Sequence, residues 1–240
     1  MFYPVGFGQQ DIVKDGLVLW LDANDKSSYP GTGTTWTDLS RGGNNGALIN
    51  GPTFNSGNGG SIVFDGSNDY VDSIIQSISI QDNTPFTADV IFKTTSTSDT
   101  HLIGNWNVFV TPGWRLDLVS GQIRFLILSN AGSTGRGVRT NSTYNNGNIV
   151  HFCATYSGNE NTSGVSFYVN GVSVATTSTL NTSPGTLINS KITLGASQLN
   201  TTSFANYLNG NIYQTKLYNR SLTTTEISQN FNATRARFGI

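Results

Sequence analysis

The chain has 240 residues, of which 36% are hydrophobic, 11% aromatic and 11% charged, and it carries a net charge of −1. That length can bury a sizeable core, while the near-zero charge and the lack of any basic run interleaved with aromatics argue against nucleic acid or anionic lipid as a partner. No stretch approaches the roughly eighteen apolar residues of a membrane span, no export signal opens the chain, and the single cysteine, Cys153, rules out an intrachain disulfide. Synthesis and folding in a cytoplasm are therefore expected.

Residues 1–11 are rich in Phe, Tyr, Gly and Pro without period, which reads as an extended N-terminal arm ahead of one domain over 12–240. Its rings, Phe2, Tyr3 and Phe7, are the candidate partner-binding residues, because burying each against another protein would recover about 1.5–3 kcal/mol. The arm packing back over its own domain is the alternative.

Short runs of apolar alternation follow: 17–21, 61–64, 86–92, 114–118, 123–127, 150–156, 165–169, 192–194 and 212–218. In the third, Phe86, Ala88, Val90 and Phe92 alternate with Thr87 and Asp89, the pattern of a half-buried antiparallel strand. Low charge and abundant Gly, Asn, Ser and Thr agree with many short strands and tight turns. Asn170-Gly171, between FYV and VSVA, suits a type I′ hairpin turn, and Asn-Gly pairs at Asn45, Asn50, Asn146 and Asn209 punctuate other runs. Near the end, Thr223 three residues before Glu226 forms a capping-box pattern, with Ile227 and Phe231 on one face of a short helix that should dock on the sheets. The expected fold is all-β, a two-sheet antiparallel sandwich with one short C-terminal helix.

Five blocks then take on meaning together: GLVLWLDAN, SSYPGTGTTWTDLSRGGNNGALINGPTF, SIVFDGSNDYVD, FYVNG and GNIYQTKLYNRSLTTTEISQNF, in this order from Gly16 to Phe231. They resemble the LamG-like jelly-roll domains of the concanavalin A-like lectin/glucanase superfamily, of the type found in structural proteins of marine tailed phages. The resemblance implies two antiparallel sheets packed face to face, with ligands on a concave sheet or at edge loops. Fold does not fix function, because one sandwich hosts many activities.

Glycoside hydrolysis needs two carboxyl groups about 5–9 Å apart. The glucanases that this fold resembles carry an E-x-D-x-E cluster on one strand, whereas this chain has two glutamates, Glu160 in a loop and Glu226 at the helix cap. Asp65 and Asp69 flank Gly66 and read as turn-forming residues, and neither His101 nor His151 falls in a nucleophile motif. No catalytic residue is expected. Calcium is the one cofactor that the residues admit, since TDLSRGGNNG offers Asp38, Asn44 and Asn45 among glycines and LamG-like relatives hold calcium at such loops; a loop closed by Asx turns alone is the other reading. Trp106 in GNWNVF and Tyr144 in STYNNGN are the candidate ligand-binding residues, as aromatic faces that a sugar could stack on, with core packing as the alternative for Trp106.

The function expected from this reading is a non-enzymatic virion structural protein, a capsid decoration or fibre-associated subunit that contacts a capsid or tail protein, sister subunits and a glycan. A free-standing bacterial carbohydrate-binding protein is the alternative, and a glycoside hydrolase or lyase stands third.

Overall fold

A computed structural model describes residues 11–73, 80–107, 112–129, 132–188, 190–200 and 202–240. Phe2, Tyr3 and Phe7 lie outside the described residues. The alternating runs form two large antiparallel sheets. The first runs in the order Val172–Val174, Val165–Val169, Val150–Tyr156, Phe86–Thr94, Asn209–Tyr218, Ser61–Asp65, Thr53–Asn55, and Leu17–Asp22 also pairs with Asn209–Tyr218. The second runs Thr176–Asn181, Gly135–Thr143, Gln122–Leu128, Gly113–Val119, Thr100–Gly104, Ile192–Leu194, Tyr70–Ser73, Gly46–Ile49, Thr35–Trp36. Strand Asn209–Tyr218 organises the first sheet: a register shift between Ile212 and Gln214 divides it, so that its start pairs with Ser61–Asp65 and its end with Leu17–Asp22.

Inward residues of both sheets fill one core. Phe86 and Tyr156 from the first sheet meet Trp114 and Phe125 from the second, with ring centroids 5.1 Å apart for Phe86–Trp114 and 6.3 Å for Phe125–Tyr156. Such tilted aromatic pairs add about 0.5–1.5 kcal/mol beyond the area they bury. The Asn170-Gly171 turn forms as expected, with φ of 50° and 76° at the two residues and Val169 opposite Val172. At Asn209-Gly210 the expectation of a turn fails, since both residues belong to the last strand, where Gly210 passes too close to the Lys93 carbonyl for a side chain.

The helix is longer than a short cap, spanning Thr224–Phe238. Its capping box closes as the sequence predicts: Thr223 Oγ1 accepts from the Glu226 amide at 3.3 Å, and Glu226 Oε2 accepts from the Thr223 amide at 2.8 Å. The helix lies over the outer face of the first sheet and buries Ile227, Asn230, Thr234 and Phe238. That cover corrects the half-buried reading of Phe86–Thr94, because Thr87, Asp89 and Ile91 are as enclosed beneath the helix as Phe86, Ala88 and Val90 are in the core. Among the described residues, no helix is long and apolar enough to cross a membrane.

Candidate functional site

The Asp38 loop is closed by hydrogen bonds. Asp38 Oδ1 accepts from the Trp20 and Ser40 amides, both at 2.8 Å, while Oδ2 accepts from Ser40 Oγ at 2.8 Å and the Asn44 amide at 2.9 Å. Asn45 Oδ1 accepts from the Asp38 amide at 2.9 Å, and Asn44 Nδ2 donates to the Val18 carbonyl at 2.8 Å. The Asp38 and Asn45 side-chain oxygens are thus directed at N–H and O–H donors, the geometry of a loop closed by Asx turns.

Trp106 is 7% exposed and packs on Leu126 and Leu128, with the Arg115 guanidinium 4.3 Å from its ring centre and its Nε1–H donating to the Ser129 carbonyl at 3.0 Å. That ring offers no open face for stacking. Tyr144 follows strand Gly135–Thr143 and packs partly on the main core, where burial raises its phenol above the ordinary value. The two residues are not brought together. Asp65 Oδ1 caps the Ser67 amide at 2.8 Å and Asp69 Oδ2 accepts from the Asp65 amide at 3.2 Å, the turn-forming geometry that the sequence suggests.

A different set of residues converges on the outer face of the second sheet. Tyr70 and Asp72 flank the core residue Val71, Thr193 lies between the core residues Ile192 and Leu194, and Thr193 stands opposite Asp72 in register. Over them folds a two-stranded hairpin, Ser197–Gln198 with Phe204–Ala205, which stacks Phe204 on Tyr70 at 4.2 Å and 24°. The result is a cleft of about 470 Å³ lined by Tyr70, Asp72, Lys191, Thr193, Gln198 and Phe204. Lys191 Nζ donates to Asp72 Oδ2 at 3.0 Å, while Asp72 Oδ1, buried, has no partner among the described residues. Burial, and then the Asp72 charge, raise the Tyr70 phenol. A partly exposed aromatic pair beside a carboxylate, an ammonium and an amide is the chemistry that holds a polyhydroxylated ring. The signal was present in the alternation of NDYVD, which sets Tyr70 and Asp72 outward; Phe204, in a loop-like stretch far along the chain, gave none.

Beside the cleft, Asp117 holds Arg124 in a two-point pair at 3.0 and 2.8 Å and Arg115 at 2.9 Å. Burial, and then the Arg115 charge, push His101 down to about 4, so it is neutral at physiological pH. His151 has the acidic neighbour that its sequence context did not reveal: its Nε2 lies 3.0 Å from Asp89 Oδ2, under the helix and stacked on Phe231. Cys153, two residues further along the same strand, completes a set that resembles a nucleophilic triad in composition. The set is sealed. Burial, and then the Asp89 charge, push the Cys153 thiol well above its usual range, which leaves it protonated and inert.

No curated protein matches the chain in sequence. Among solved structures, it is similar to the binding domain of Paraclostridial Mosquitocidal Protein 1 (TM-score 0.65, 19% identity), to the binding domain of botulinum neurotoxin DC in complex with rat synaptotagmin II (0.68, 14%), and to that domain in complex with SialylT (0.66, 15%). Each alignment covers 92% of this chain and 52% of the other, so the chain spans about half the length of these relatives, and at such identity the likeness concerns the fold. Residues 65–228 match the laminin G 3 family. With two face-to-face antiparallel sheets and a family match over most of its length, the chain belongs to the concanavalin A-like lectin/glucanases superfamily.

Proposed function

We propose that this chain is a non-enzymatic, lectin-like binding module that recognises a glycan at the Tyr70–Phe204 cleft, displayed on the surface of a phage particle as a capsid decoration or fibre-associated subunit. The observation that carries the binding role is the juxtaposition of the stacked pair with Asp72 Oδ1, a buried acceptor with no partner among the described residues. A sugar hydroxyl would donate to that oxygen while the ring lies against Phe204. The receptor-binding toxin domains that share the fold support a binding role over a catalytic one. The virion setting draws its support from the five sequence blocks and their resemblance to phage structural proteins, and Phe2, Tyr3 and Phe7 are proposed to anchor the arm on a capsid or tail protein or on sister subunits.

A glycan array probed with the whole chain, alongside Phe204→Ala and Asp72→Asn, tests the binding site. Each variant is expected to weaken retention of the bound glycan about tenfold, equal to about 1.4 kcal/mol, with an unchanged melting temperature. Retention of no glycan by the wild type, or equal retention by both variants, would overturn the reading. Mass spectrometry of purified virions tests the setting, and deletion of residues 1–10 should abolish particle association if the arm is the anchor.

A further inference from the structure

The outer face of the first sheet carries a second polar cleft, of about 280 Å³, between strand Leu17–Asp22 and the last turns of helix Thr224–Phe238. Trp20 and Asp22, two residues apart, point to one side of their strand, and Gln214 stands opposite Asp22 in the neighbouring strand. Arg237 reaches in from the helix. Asp22 fixes both partners, since its Oδ2 accepts from Gln214 Nε2 at 2.7 Å and from Arg237 Nη1 at 2.8 Å.

What these bonds leave over is unusual. Trp20 Nε1–H, Gln214 Oε1 and the Nε–H and Nη2–H of Arg237 are all buried and have no hydrogen-bond partner among the described residues, and Gln214 itself is 1% exposed. Buried polar atoms are nearly always paired, so four orphans from three residues lining one cleft mark a place that a ligand completes. Their types define it. The Nε and Nη2 edge of a guanidinium is a planar two-donor fork whose complement is a carboxylate. Trp20 adds a third donor at its ring edge, while its ring face is taken by Lys14, whose Nζ lies 3.8 Å from the ring centre. Gln214 Oε1 is an acceptor among donors, so it requires a hydroxyl beside the acid group. Asp11, Asp22 and Asp25 line the cleft against the cations Lys14 and Arg237, and this acidic excess sets a limit, opposing a multiply charged phosphate or sulfate more than a single carboxylate.

We propose that this cleft binds a hydroxy-carboxylate of the kind presented by an acidic sugar, with the carboxylate on the Arg237 fork and Trp20 Nε1–H and an adjacent hydroxyl donating to Gln214 Oε1. The site is on the opposite sheet from the Tyr70–Phe204 cleft and stands or falls independently of it.

The test is a titration of the whole chain followed by ¹H–¹⁵N spectra of the indole and guanidinium N–H groups, with glucuronate, glucose and sulfate as probes and Trp20→Phe to assign the Trp20 signal. Glucuronate should shift the Trp20 indole and Arg237 Nε signals saturably, with glucose and sulfate weaker by about tenfold or more. Trp20→Phe, which keeps a ring beneath Lys14 and deletes the donor, and Arg237→Lys, which keeps the charge beside Asp22 and deletes the fork, should each weaken glucuronate, while Phe204→Ala leaves it unchanged. No saturable shift with glucuronate, equal binding of glucose, equal binding of sulfate, or indifference to Trp20→Phe would each overturn the proposal.

Discussion

Lys216 and Asp89 face each other across neighbouring strands, directly paired in register, with Nζ 2.9 Å from Oδ1 and both side chains at 0% exposure. Burial alone would raise the Asp89 carboxyl, but Lys216, and then His151, hold it well below the usual carboxylate range. Removing one member leaves the other buried and uncompensated, which costs about 3–5 kcal/mol. Asp89→Asn should therefore lower the unfolding free energy by that amount in a urea titration, and the double variant Asp89→Leu with Lys216→Met should be more stable than Asp89→Asn. A loss below about 1 kcal/mol for Asp89→Asn, within the range of an exposed pair, would show that the pair is hydrated in solution.

Cys153 shares this enclosed layer. Because its thiol is both buried and pushed upward, the folded protein should not react with an aromatic disulfide reagent at pH 8, and one equivalent should react once denaturant is added. Rapid labelling of the native protein would mean that the helix opens readily from the sheet.

Glu226 sets a pH dependence of known sign. The two hydrogen bonds from Arg220, at 2.6 and 2.9 Å, hold its carboxyl at about 2, against an ordinary value of 4.5. A carboxyl depressed in the folded state contributes its stability in full above the unfolded value, and the contribution disappears as pH falls toward 2. Since both side chains are about a quarter exposed, solvent limits the effect to about 1 kcal/mol or less. The difference in melting temperature between wild type and Glu226→Gln should narrow between pH 5 and pH 2; a constant difference would assign the helix cap no role in acid sensitivity.

The Asp38 loop should be indifferent to calcium. Melting midpoints in chelator and in millimolar calcium are expected to coincide, whereas Asp38→Ala, which strips acceptors from the amides of Trp20, Ser40 and Asn44, should cost about 1–3 kcal/mol or more. A calcium-dependent rise in the midpoint that Asp38→Ala removes would restore the loop as an ion site.

Strands with strong apolar alternation were legible because one face of each must enter the core: the run from Phe86 and the run from Val150 both lie where the pattern puts them. Gly135–Thr143 was not, because GRGVRTNST pairs through its backbone and sends a single aliphatic side chain, Val138, into the main core. The Asn170-Gly171 turn and the Thr223–Glu226 cap were readable for a different reason, since both are local arrangements of a few residues. The Tyr70–Phe204 cleft is the opposite case. Its members come from three separate segments, and only the closing of one sheet and the folding of a hairpin over it bring Tyr70, Lys191 and Phe204 together.

The divided strand Asn209–Tyr218 also sets the order in which the molecule can be built. It is the strand that joins Leu17–Asp22, Ser61–Asp65 and Phe86–Thr94 to one another, so those three segments wait for one made well after them. Closing such long loops is slow on entropic grounds, which makes completion of the first sheet a concerted event rather than a progressive one. The hairpin at Asn170-Gly171 and the pairing of Gln122–Leu128 with its neighbours can form beforehand. A chain arrested before residue 209 would keep those local pieces and expose Leu19, Leu21, Ile62 and Phe64 to whatever chaperone or aggregate meets them first.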